Sequence, residues 1–240
     1  MVNKIRITSH SSRTNNSWLF APSSLILANY HLPLNGALYF QGGLALRHII
    51  IILTFLSLAG CAAALVPYTS DPKQKISDAY WLFDQKQRAL PAQKLILEAI
   101  EIYKKNNDKS GLAQAYVAYA VFLRSYAVNR YSEHYKETGF NGGNITFKDR
   151  FDASIEYLEK SSAIYEEKQE YDNITNTYLH MGFTYLANNN IPKVCDMYMK
   201  SLDMNKLFMD KNPDVKLNLG GFKTYKDYID SELQQANCPA

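Results

Sequence analysis

From residue 68 to the C terminus, apolar residues recur three and four positions apart, and no stretch alternates apolar and polar as a half-buried strand does. The spacing predicts helices throughout. The pattern also repeats. "AIEIYKKNNDKSGLAQAYVAYAVFL" from Ala99 aligns with "SSAIYEEKQEYDNITNTYLHMGFTY" from Ser161 at an offset of 62 residues, and "FDASIEYLEKS" from Phe151 aligns with "IPKVCDMYMKS" from Ile191 at an offset of 40. A unit of about 40 residues follows, with one copy lengthened by 22. Pro91 and Pro192 stand where second helices of a unit begin, a position that tolerates the missing N–H. After Asn212-Pro213 and Gly220-Gly221, Thr224 precedes Asp227 by three, close to a capping box. Tyr225, Tyr228, Ile229 and Leu233 then form one apolar face, which predicts a terminal helix covering the last unit.

Tyr178, Met181, Gly182 and Tyr185 supply large, large, small and aromatic positions of a first helix, and Val194, Tyr198 and Ser201 the small, aromatic and small positions of a second. Tyr116, Tyr119, Ala120 and Leu123, then Ser154, Leu158 and Ser161, form the preceding copy. An earlier one is degenerate, because Tyr80 falls where its first helix needs a small residue. This arrangement resembles the tetratricopeptide repeat. The resemblance implies an all-α fold, a short right-handed solenoid of antiparallel helix pairs over 73–209, with an insertion at 128–149 and a capping segment at 210–240. It also implies a concave face, lined by first helices, that receives a partner's helix or extended peptide. The matching positions are Gln114, Val117, Val121 and Arg124, then Asn176, Leu179, Phe183 and Leu186. They lack the Lys/Asn/Arg clamp by which one subclass grips a terminal carboxylate. The competing reading is that the chain's own helices cover this apolar stripe. The insertion is aromatic, with Tyr131, Tyr135, Phe140 and Phe147. Its base is expected to pack, and its tip, from Phe140 to Asn144, to present a ring to a partner.

The first 60 residues contain Lys4, Arg6, Arg13 and Arg47 but no Asp or Glu, unlike a folded surface on which both signs intersperse. Residues 1–46 read as an upstream extension, or alternatively as an organelle transit sequence. From Arg47 a basic residue, a short apolar core and small residues precede Cys61, the layout of a signal peptide over 47–60. Leu58-Ala59-Gly60-Cys61 resembles the lipobox of bacterial lipoproteins. That resemblance implies cleavage before Cys61, lipidation (including palmitate-type acylation) of the cysteine, a tether at 61–72 and an outer-membrane protein facing the periplasm. A single membrane-spanning helix over 49–66 is the alternative.

Residues 61–240 carry 22 basic against 23 acidic residues, which predicts no nucleic-acid footprint. His134 and His180 are the only histidines there, and no HExxH, CxxC or GxxxxGK[ST] motif occurs, so no cofactor, metal site or catalytic role is expected. The expected function is a non-catalytic protein-binding adaptor in envelope assembly. An immunity or inhibitor protein that plugs a toxin's active site with the aromatic insertion is the alternative, and an enzyme using His134 a weaker one. With Cys61 lipidated, Cys195 and Cys238 remain, and an oxidising compartment favours a disulfide between them; a buried Cys195 and a free Cys238 is the other reading.

Overall fold

The computed structural model describes residues 68–140 and 143–239, which lie within one compact unit. The extension at 1–46, the signal peptide at 47–60 and Cys61 fall outside the described residues. Among those described there are nine α-helices and no strand. Helix α1 spans Pro72–Tyr80 and runs into a π-helical turn at Trp81–Gln85; α2 spans Ala89–Lys105, α3 Lys109–Leu123, α4 Tyr126–Arg130 and α5 Ser132–Thr138. Then come α6 at Arg150–Glu167, α7 at Tyr171–Ala187, α8 at Ile191–Lys211 and α9 at Tyr225–Gln235. None of the described helices is long and apolar enough to cross a membrane.

Side-chain caps mark where several of these helices start. The Asp71 carboxylate accepts from the Lys73 N–H at 2.9 Å, with Pro72 in the first turn, and Asp108 accepts from the Gly111 N–H at 2.9 Å. Thr224 and Asp227 complete the reciprocal capping box that the sequence suggested. Their ends share one device. Gln87, Asn107, Gln169, Asn189 and Asn237 all have φ between 52° and 57°, a left-handed residue just past a helix. Behind it the next N–H reaches back to the last turn, as Asp108 does to the Tyr103 carbonyl, Glu170 to Tyr165 and Asn190 to Tyr185. Connections this short turn each helix back along its predecessor.

Helix α1 packs on α2, α3 on α6 and α7 on α8, while α2–α3 and α6–α7 contacts join one pair to the next. Alternate helices also touch, α1 with α3 and α3 with α7. Small residues set the closest approaches: a Cβ added to Gly182 would lie 2.3 Å from the Tyr198 ring, and one added to Gly111 would lie 2.1 Å from that of Tyr103. Tyr80, by contrast, stands at the end of α1, where the helix widens into the π turn. Ile155, Leu158, Met181 and Met197 form a core between α6, α7 and α8 around Ala120.

The insertion folds inward, which corrects the expectation for its tip. Phe140 is 0% exposed, stacked on Tyr135 with ring centroids 4.2 Å apart and set edge-on to Phe122 of α3. The Tyr135 hydroxyl donates to Gln93 of α2 at 3.0 Å. A backbone bridge between Phe140 and Ile145 closes the loop above these rings. Burying two stacked aromatics removes more apolar surface from water than any presentation to solvent could offset, so Phe140 is core and not a partner-binding ring.

At the C-terminal end α9 packs on α8. Tyr225, Tyr228, Ile229 and Ala236 bury themselves against Val194 and Tyr198, together with Leu219 of the preceding segment. The Tyr225 and Ser201 hydroxyls are 2.6 Å apart, and Ser201 donates to the Thr175 carbonyl at 2.8 Å. Cys195 and Cys238 are joined by a disulfide with their Cα atoms 5.7 Å apart.

Candidate functional site

The eight positions proposed for partner binding do not share one environment. Leu179 is 2% exposed, in the cluster that α9 and Leu219 cover, so the chain itself occupies that part of the stripe and Leu179 is not a binding residue. Phe183 borders the same cluster, edge-on to Tyr198 with centroids 5.9 Å apart. Val117 packs against the cores beneath α6 and α7. Gln114 and Leu186 are exposed, and Val121 and Asn176 are partly buried. Arg124 is partly buried.

Arg124 closes α3 and reaches across to α7. Its Nη2 lies 2.9 Å from Nδ1 of His180, and its guanidinium stands 5.4 Å from the centre of the Phe183 ring. The group therefore links α3 to α7. Its Nε is shielded from solvent and has no hydrogen-bond partner among the described residues. None of its contacts among the described residues is a carboxylate. Burial lowers the arginine pKa to about 10, so it stays charged at neutral pH. The same burial, with Arg124 alongside, lowers that of His180 to about 3 and holds the imidazole neutral. The arrangement is a cation with no counter-ion among the described residues, beside a neutral imidazole and an aromatic ring. A guanidinium has five donors in a planar fork, a shape matched by carboxylates.

His134 occupies an exposed position on α5, its ring 5.3 Å from that of Tyr135. No cluster of His, Cys, Asp or Glu able to hold a metal ion occurs among the described residues. Sequence reasoning grouped Arg124 with the concave positions but did not single it out. The signal was present: its counterpart 62 residues on is Leu186, so Arg124 is the one charged residue among the eight concave positions and has no repeat-related equivalent. No protein-family profile, curated protein or solved structure matches this chain.

Proposed function

We propose that the protein is a tetratricopeptide-type adaptor without catalytic activity, in which α1/α2, α3/α6 and α7/α8 are successive repeats of a short solenoid and α9 is its cap. The inner helices α1, α3 and α7 receive a segment of another protein, and an acidic side chain or terminal carboxylate of that segment neutralises Arg124. The observation that carries this reading is the shielded guanidinium without a counter-charge, beside the partly buried Val121 and Phe183. A buried charge left unpaired is costly, and an incoming carboxylate removes that cost on binding. The lipobox-like Leu58-Ala59-Gly60-Cys61 supports tethering at a bacterial envelope membrane, on the periplasmic side of the outer membrane, and a disulfide suits that oxidising compartment. The toxin-inhibitor reading drew on a presented aromatic insertion, and the burial of Tyr135 and Phe140 removes its main support.

A photo-crosslinking residue placed at Val121 in intact cells tests the proposal. One discrete protein adduct is expected there and none at Met199, an exposed position on α8. Arg124→Gln, with helical circular dichroism retained, is expected to weaken capture by about 2 kcal/mol or more. Absence of an adduct at Val121, or capture indifferent to Arg124, would refute the adaptor reading.

A further inference from the structure

A groove of about 760 Å³ opens between the end of α8 and the irregular segment 212–224 that leads into α9. It lies on the cap, away from the α3–α7 face, and does not depend on the adaptor reading. Its volume falls in the roughly 300–1,000 Å³ range of small-molecule sites. Leu202, Met209, Val215 and Leu217 give it an apolar wall. Around that wall stand Lys206, Lys216, Lys223 and Lys226, against the single carboxylate of Asp203. Lys226 is paired with Asp230 at 2.5 Å, but Lys206, Lys216 and Lys223 have no ion pair within 4.0 Å among the described residues. The wall also includes Asn205, which is 5% exposed and whose side-chain Nδ2 has no hydrogen-bond partner.

These features point in one direction. An apolar wall of branched and thioether side chains suits a flexible hydrocarbon tail. Three ammonium groups without an ion pair at its edge suit one anionic head. A cationic or purely apolar ligand would leave the lysine charge unanswered, and a bulky folded partner would not enter the groove. The chain closes the floor itself: Tyr225 and Leu219 are buried and tied into the α8–α9 core, so the groove has a fixed base and a polar rim.

We propose that this groove binds an amphiphile with a single anionic head group, carboxylate or phosphate, and an apolar tail. The head lies among Lys206, Lys216 and Lys223, and the tail lies along Met209, Val215 and Leu217. A free fatty acid and an anionic membrane phospholipid share this chemistry.

The test uses the full-length chain labelled at the methionine methyls and the asparagine side-chain amides, read at Met209 and Asn205 by nuclear magnetic resonance. Octanoate and dihexanoyl phosphatidylglycerol are titrated separately, with octyltrimethylammonium and dihexanoyl phosphatidylcholine as charge controls. Saturating shifts at both probes are expected with at least one anion, and Lys216→Glu/Lys223→Glu is expected to weaken that binding at least tenfold. Both substituted lysines are exposed, so the variant retains its fold. Saturation by octanoate alone identifies the free acid as the source, and saturation by the phosphatidylglycerol alone identifies membrane lipid. The proposal is overturned if neither anion saturates, if the controls shift both probes equally, or if charge reversal leaves the affinity unchanged.

Discussion

At the residue scale, the site turns on a histidine that its surroundings keep from taking up a proton. His180 is desolvated between α3 and α7 and faces a guanidinium, and its pKa falls to about 3 from the ordinary 6.5. In the unfolded chain it regains the ordinary value. As pH drops below about 6.5 the unfolded state binds a proton that the folded state refuses, so stability declines until about pH 3, where both states are protonated. At pH 4.5 the loss from this residue approaches ~2.7 kcal/mol as an upper bound. His180→Gln is expected to flatten the stability profile between pH 7.5 and 4.5 in urea titrations. Parallel profiles for variant and parent would show that His180 is not the desolvated group described.

At the element scale, the helix ends carry a regularity that the apolar pattern does not. The left-handed residues Gln87 and Asn107 are 20 positions apart, and so are Gln169 and Asn189. The corresponding turn between α3 and α6 is missing, and the insertion with α4 and α5 stands in its place. Arg130 of α4 donates to Gln87 at 2.6 Å, which ties the insertion to the turn of the preceding pair. Holding a side chain in the left-handed region costs roughly 1–2 kcal/mol, and asparagine tolerates it better than glutamine. Gln169→Gly is therefore expected to raise stability by about 0.5–1 kcal/mol, after the added freedom of the unfolded chain is subtracted. Asn189→Gly is expected to gain less. Denaturant midpoints for the two variants check both the sign and the order; a destabilised Gln169→Gly would mean that its side chain holds the α6–α7 turn by some other contact.

At the scale of the whole molecule, the long helices pack on their partners in sequence, with α1–α3 and α3–α7 contacts besides, and α9 packs on α8, so the α7/α8 pair depends on what closes it. Two things do: the apolar face of α9 and the Cys195–Cys238 bond, which spans 43 positions. A loop of that size stabilises by up to ~4 kcal/mol through the entropy removed from the unfolded chain. Cys195→Ser/Cys238→Ser is expected to raise amide exchange in α9 and the end of α8 and to leave α1–α3 near their parent rates, because α9 packs on α8 and the bond joins α8 to the end of the chain. Equal acceleration throughout would show one cooperative unit instead.

The sequence by itself determined the helical character, the 40-residue period, the capping box at Thr224 and the small residues that let helices approach, such as Gly182 against Tyr198. These are local or periodic properties, written in spacing and residue size. Periodicity says which residues share a face, and it is silent on what covers that face. Leu179 and Phe183 are four apart on one stripe, yet α9 closes over Leu179 while Phe183 is left beside Arg124. Phe140 was expected to face a partner from the tip of the insertion, but its ring stacks on Tyr135 against α3. Arg124 and His180 are 56 positions apart, and only the side-by-side packing of α3 and α7 brings their nitrogens within 2.9 Å. The groove under the cap likewise arises from the path of an irregular segment across the end of α8. That path follows from the burial of Leu219 and Tyr225 against a distant helix, an energy that resides in the contact and leaves no period in the chain.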